Sequence, residues 1–222
     1  MLSIIIPTLN AAGTLERTLK TVAPADFVLE MIVADGVSTD GTPDIARANA
    51  AKVVTAATGR GQQLAAGAAT ALAPWLLFLH ADTVPGEGWA DAVKRFIADP
   101  NNADRAAVFR FRLDDDTAAA RRLEGLVDWR TRNMELPYGD QGLLIAKAHY
   151  DRIGGFKPMP LMEDVDLVRR LGRNRITVLA ADAITSAEKY RKHGYLLRPA
   201  RNALCLGLYL LGLPPKLIAK FY

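Results

Sequence analysis

The chain has 222 residues, 50% of them hydrophobic and 23% charged, which excludes disordered and collagen-like classes and leaves enough sequence for a substantial core. A single cysteine, Cys205, excludes an internal disulfide framework and a cysteine-rich zinc site. The net charge of +4 is unevenly placed. From residue 187 onward, seven Lys/Arg face the single acid Glu188, so this tail carries +6 and the remaining body −2. That division argues against a general nucleic-acid binder. The first residues lack the basic and apolar segments of a secretory leader, and no run reaches the ~20 apolar residues of a spanning helix. A cytoplasmic protein is the expectation.

In chain order, Leu2 to Ile6 is a β-branched run closed by Pro7 and predicts a buried strand. Thr14 to Val22 has helical spacing. Val28 to Ala34 predicts a second strand, closed by Asp35-Gly36. Thr42 then reads as an N-cap, with Pro43 at the first helical position. Lys52 to Thr55 is a short third strand, Gln62 to Leu72 an alanine-rich helix, and Trp75 to Leu79 an apolar strand closed by His80-Ala81-Asp82. Gly88 to Ala98 predicts another helix. Farther on, Ala107 to Leu113 reads as a half-exposed strand and Thr117 to Arg132 as a helix. Leu143 to Ala146 and Ile176 to Ala180 read as strands, with a short helix over Met162 to Leu171.

Alternating strands and helices predict an α/β fold with a mostly parallel sheet covered on both faces. Ligands of such sheets bind outside the strand carboxyl ends. Pro7-Thr8-Leu9-Asn10, Asp35-Gly36 and His80-Ala81-Asp82 all follow strand ends. The last two permit two readings each. Asp35 is either a turn residue or an acceptor for a base or ribose. His80-Ala81-Asp82 is either a strand-end turn or a site where a cation bridges Asp82 to a diphosphate. His80 binds that cation, bonds phosphate or simply packs. Glu163, Asp164 and Asp166 are either a solvated helix N-terminus or supply a carboxylate base. Glu163 and Asp164, about 100° apart on a helix, need not share a role.

The runs Ile4-Ile5-Ile6-Pro7-Thr8-Leu9-Asn10, Val33-Ala34-Asp35-Gly36-Val37-Ser38-Thr39-Asp40-Gly41-Thr42, Leu77-Phe78-Leu79-His80-Ala81-Asp82-Thr83 and Met162-Glu163-Asp164 resemble, in order and spacing, the motifs of family 2 glycosyltransferases with the GT-A (Rossmann-like) fold. Gly59-Arg60-Gly61-Gln62-Gln63-Leu64-Ala65-Ala66-Gly67-Ala68 and the Leu-His-Ala-Asp-Thr form resemble a bacterial subgroup, the radical-SAM/selenodomain-associated glycosyltransferases. The resemblance implies a nucleotide-sugar donor, inverting transfer to a saccharide or lipid hydroxyl, and Mn²⁺ or Mg²⁺. It implies Pro7, Thr8, Asp35 and Arg60 at the nucleotide, Asp82 at the metal with His80 in place of the motif's first Asp, and Asp164 as catalytic base. It further implies Asp140 and Glu163 near sugar or acceptor, and Lys189, Arg191 and Lys192 at the diphosphate. Residues 1–186 would form the GT-A domain and residues 187–222 a helical, basic and apolar extension of it.

Within that tail, Ala203 to Leu213 is apolar but too short to span a bilayer. It reads as a core or homodimer helix, as a cover for the sheet edge, or as a peripheral membrane contact with Arg198, Arg201, Lys216 and Lys220 near anionic headgroups. Rival functions are a sugar-phosphate nucleotidyltransferase, which calls for a Gly-rich basic loop after the first strand, and an inactive interaction module. A Rossmann dehydrogenase lacks its G-x-G-x-x-G here.

Overall fold

The computed structural model describes residues 1–219. In chain order it runs β1 (Leu2–Thr8), α1 (Ala12–Val22), β2 (Val28–Asp35), α2 (Thr42–Ala48), β3 (Lys52–Thr55), α3 (Arg60–Thr70), β4 (Trp75–Phe78) and β5 (Thr83–Pro85). There follow α4 (Trp89–Ala98), β6 (Ala106–Leu113), α5 (Ala118–Met134), β7 (Leu143–Ala146), α6 (Lys147–Arg152), α7 (Glu163–Leu171), β8 (Ile176–Thr185), α8 (Glu188–His193), α9 (Leu197–Leu210) and α10 (Pro215–Ile218). The strands form one sheet in the order β3-β2-β1-β4-β7-β6-β8-β5. β7 pairs antiparallel with β4 and β6, and β5 antiparallel with β8; the other pairings are parallel. The sheet is therefore mostly parallel, as the alternation of patterns predicts.

The period of two in a strand explains why β1 is apolar throughout. Ile4 and Ile6 enter the core beneath α1 and α4, with Leu15, Leu19 and Val93. Ile5 points to the opposite face and packs with Leu64 and Ala68 of α3 and Leu167 of α7. All three isoleucines are fully buried. Two further apolar clusters attach the tail. Cys205, Leu206 and Ile218 pack on Leu161, Val165 and Val168, while Ala187 joins Phe111, Leu123 and Val127.

Several local expectations change. Thr42 is the first residue of α2 rather than its cap, and Gly41 precedes it with φ 81°. The Thr42 hydroxyl instead bonds Asp40 and accepts the Ala11 backbone N–H at 2.9 Å, tying α2 to the start of α1. β6 is less exposed than its alternation suggests, because Val108 is buried in the core on the α3 side. β8 continues past Ala180 to Thr185. The charged Asp182 does not end it: it lies opposite Arg110 of β6 and pairs with it at 2.8 Å.

α3 approaches β1 closely at Gly67, where an added Cβ would lie 2.5 Å from Ile5 Cγ2. Gly67→Ala gains about 1 kcal/mol of helix propensity, but Ile5 is locked in the core and overpacking costs about 1–3 kcal/mol. Urea denaturation is expected to show a net loss of stability for Gly67→Ala, and none for Gly13→Ala in α1, where a Cβ meets nothing within 4 Å.

Candidate active site

The carboxyl ends of β1 and β4 open on a cleft of about 520 Å³. Pro7 and Thr8 line it from β1, Arg60 and Gln63 from the first turn of α3, and His80 and Asp82 from the turn after β4. Ser186, just after β8, and Lys189 of α8 close it. An adjoining inner cavity of about 120 Å³ continues past Asp82, lined by Tyr138, Asp140, Asp164, Tyr190, Arg198 and Asn202. Arg60, His80, Asp82, Ser186 and Lys189 border both spaces.

Strand-end loops build the outer cleft. Asp35 is 3% exposed and lies behind the wall rather than on it. Its carboxylate accepts from Thr8 Oγ1 at 2.9 Å, Ser38 Oγ at 2.6 Å and Ser38 N at 2.8 Å. Burial raises its pKa, but the hydrogen bonds from Ser38 and Thr8 outweigh that and hold it below the ordinary value. Asp35 is thus spent on shaping two loops. Asn10 completes the brace by accepting from Thr39 N at 2.9 Å. Asn10 (φ 52°) and Val37 (φ 69°) both occupy the left-handed region, which is costly for a β-branched side chain. Gln63, which the sequence reading passes over, is buried and donates to the Thr8 and Ala34 carbonyls. It joins α3 to the ends of β1 and β2.

Asp82 is held from behind. The buried Thr18 hydroxyl donates to the Ala81 carbonyl at 3.0 Å, and Ser186 N donates to the Asp82 carbonyl at 3.1 Å. The Asp82 carboxylate meets Lys189 Nζ at 3.0 Å. Burial and the nearby Arg60 push the His80 imidazole down to about 4, so it is neutral at pH 7. Among the described residues, no three His, Cys, Asp or Glu side chains group to hold a metal ion by themselves.

Glu163 and Asp164 separate as adjacent helical residues should. Glu163 is 1% exposed and pairs with Arg60, which belongs to the first turn of α3. Burial raises its pKa, and Arg60 opposes that. It does not line the inner cavity. Asp164 does, and its Oδ2 accepts Gly139 N at 2.9 Å. A Cβ at Gly139 would lie 2.7 Å from His80 Nε2 and 3.7 Å from Asp164 Oδ2, so this glycine lets the two side chains approach. Met162, just before them, is left-handed with φ 65°.

The short turn Gly139–Gln141 presents Asp140. Gln141 anchors it, donating to the Phe109 carbonyl at 3.1 Å and accepting from Thr131 at 2.9 Å. Burial pushes Asp140 up to about 6; Arg130 pulls it back and Asp164 pushes it further. Its Oδ1 is buried without a hydrogen-bond partner.

Of the three basic tail residues expected at the diphosphate, Lys189 alone lines the cleft. Arg191 turns to Asp114 and Asp115, and Lys192 pairs with Glu188 at 2.6 Å, one helical turn away. Arg198, read from sequence with the headgroup-facing residues, instead lines the inner cavity together with Asn202. Their spacing of four within an apolar helix was the available signal. Lys220 lies outside the described residues.

A family model described as glycosyl transferase family 2 matches residues 3–160. A PGL/p-HBAD biosynthesis glycosyltransferase of Mycobacterium bovis is 41% identical over 98 residues, a match covering 37% of this chain and 35% of that protein. The chain thus spans about a third of the curated relatives it matches. Glucosyl-3-phosphoglycerate synthase from Mycobacterium tuberculosis, solved with Mn²⁺, UDP-glucose and phosphoglyceric acid, superposes with a TM-score of 0.67 at 19% identity, covering 96% of this chain and 80% of that one. TarS of S. aureus superposes at 0.64 and 18% identity, covering 99% of this chain and 42% of that one.

The raised pKa of Asp140 has a stability consequence. Its contribution is present below the ordinary carboxylate value and is lost as pH rises through about 6, where the folded protein must ionise a buried group. Asp140→Asn is expected to raise the melting temperature at pH 7.5 and to leave it nearly unchanged at pH 3.5, as scanning calorimetry would read.

Proposed function

Because the chain belongs to glycosyl transferase family 2, we propose that it transfers a sugar from a nucleoside-diphosphate sugar to an acceptor hydroxyl, with inversion and with a divalent cation. The observation that carries this reading is the wall shared by the two spaces. Arg60, His80, Asp82 and Lys189 border both the large strand-end cleft and the small cavity holding Asp164. A diphosphate spanning that wall would leave its nucleoside in the outer cleft, over Pro7 and Thr8, and its sugar inside, near Asp140. The first turn of α3 adds the backbone N–H groups of a helix start, which suit an anion.

His80 and Asp82 fit a divalent cation by their chemistry. A neutral imidazole and one carboxylate are acceptable ligands where diphosphate oxygens and water complete the shell. Mn²⁺ and UDP-glucose in the synthase described above support this assignment. When bound, the cation would offset charge on the departing diphosphate. Lys189, paired with Asp82 at 3.0 Å, is placed to do the same.

Asp164 is the base. It takes the proton of the acceptor hydroxyl as that oxygen bonds to the anomeric carbon. The bond from that carbon to the diphosphate oxygen breaks, and its electron pair leaves with the nucleoside diphosphate. Inversion requires the base and the leaving group on opposite sides of the sugar. Glu163 acts indirectly in this reading, by holding Arg60 at the shared wall. Residues 1–186 supply most of the donor cleft and the base, and the described part of the extension, residues 187–219, adds Lys189 to both spaces and Arg198 and Asn202 to the inner one.

α9 also supports a peripheral membrane contact. Leu197, Leu204 and Leu211 are 77%, 59% and 81% exposed, and their spacing places them on one stripe with exposed Arg201. Among the described residues, no helix is long and apolar enough to cross a membrane. A basic apolar stripe matches an anionic bilayer surface, whereas two copies meeting along it would oppose like charges.

Asp164→Asn is expected to lower transfer by about 10²–10⁴-fold, the usual worth of a general base. Thermal shifts with UDP-, GDP- or dTDP-sugars and Mn²⁺ or Mg²⁺ should be retained; full activity in this variant would remove Asp164 from the role. In flotation with anionic vesicles, the intact chain should rise with the lipid, and a Leu197→Gln/Leu204→Gln/Leu211→Gln variant should remain below. Equal partitioning of the two would discard the membrane contact.

A further inference from the structure

We propose that Arg198 forms a binding site for an anionic group, phosphate or carboxylate, carried by the acceptor beside its attacking hydroxyl, with Asn202 accepting from a further hydroxyl of the same molecule. The inference rests on the transferase reading and names the substrate class of the same site. Arg198 and Asn202 stand one turn apart on α9, on the face turned away from the exposed leucine stripe. Both line the inner cavity with Asp164. Asn202 and Asp164 also share a second recess of about 40 Å³.

The charge partners single out Arg198. Among the described residues, three cationic side chains border the inner cavity. Arg60 pairs with Glu163 and Lys189 with Asp82. Among the described residues, no carboxylate pairs with Arg198. Its guanidinium lies 5.4 Å from the centre of the Tyr190 ring. Its Nε is buried without an acceptor, and Asn202 Oδ1 is buried without a donor, which suits a neutral hydroxyl of the same molecule. A buried guanidinium N–H lacking an acceptor is satisfied by an incoming oxygen, and the planar fork suits phosphate and carboxylate.

Position decides which substrate brings the anion. Arg198 does not border the 520 Å³ cleft assigned to the nucleoside, whereas Lys189 borders both spaces. The molecule that offers its hydroxyl to Asp164 therefore also reaches Asn202 and Arg198. That molecule is the acceptor.

The test uses the full chain saturated with Mn²⁺ and whichever nucleoside diphosphate raises its melting temperature most, so that the diphosphate position is filled. Isothermal titration then compares inorganic phosphate, glucose 6-phosphate, glucuronate and glucose. A parallel arm compares phosphatidylinositol vesicles with neutral vesicles, to separate a lipid-borne from a free anion. The expected result is at least about tenfold tighter binding of glucose 6-phosphate or glucuronate than of glucose, or binding confined to the phosphatidylinositol arm. Arg198→Ala should erase that preference and Arg198→Lys should restore part of it. Circular dichroism of each variant separates a lost site from a lost fold. Absence of any anion preference in the nucleotide-loaded wild type, or its survival in a folded Arg198→Ala, would overturn the proposal. If no nucleoside diphosphate shifts the melting temperature, the transferase reading fails first, a result distinct from nucleotide binding without anion preference.

Discussion

A buried carboxylate must be neutralised or paired, and in this fold Glu163 is both the most buried acid of the site and the partner of Arg60. The pair joins positions 103 residues apart in sequence. It brings the first turn of α3 against the first turn of α7. That contact is close enough to require glycine: a Cβ on Gly61 would lie 2.3 Å from the Lys157 carbonyl and 3.2 Å from Glu163 Cβ. Asp164 follows Glu163 directly, so locating the pair also locates the proposed base. Removing one partner would leave the other as an unpaired charge, which gives the fold a strong reason to keep the two helices together.

The rest of the site is arranged around that junction by paired loops. Asp35 and Asn10 lock the loops after β2 and β1 to each other, and Thr18 and Ser186 hold the turn that carries Asp82. Two residues in left-handed backbone, Asn10 and Val37, stand in these segments. Strain there is tolerable because the surrounding hydrogen bonds over-determine the loops. By contrast, the inner cavity retains buried polar atoms without partners on Asp140, Arg198 and Asn202. The outer loops are closed systems, whereas the inner wall has bonding capacity left for a ligand.

α9 shows how one helix serves two environments. Cys205 and Leu206 bury it against α7, Arg198 and Asn202 face the inner cavity, and the leucine stripe faces out. A helix docked at the rim of the inner cavity and apolar on its outer side would, in the proposed membrane contact, set that cavity beside a bilayer surface.

By itself the sequence determined most of the element order, the burial of β1, the parallel core of the sheet and the placing of Thr8, Asp35 and Asp82 at strand ends along one edge. These follow from local hydrophobic period and from the way crossovers align strand ends. It also pointed to Asp164 through the spacing of an ordered set of motifs. Only the tertiary structure decided how side chains of like type were divided. Asp35 went to bracing loops, Glu163 to Arg60, and Arg191 and Lys192 to nearby acids, while Lys189 and Arg198 reached the cavities. β5 and the last half of β8 were equally illegible, since three residues carry no period and Asp182 finds its partner only across the sheet. Periodicity reports which face a residue takes, but the partner waiting on that face is set by packing between segments distant in the chain.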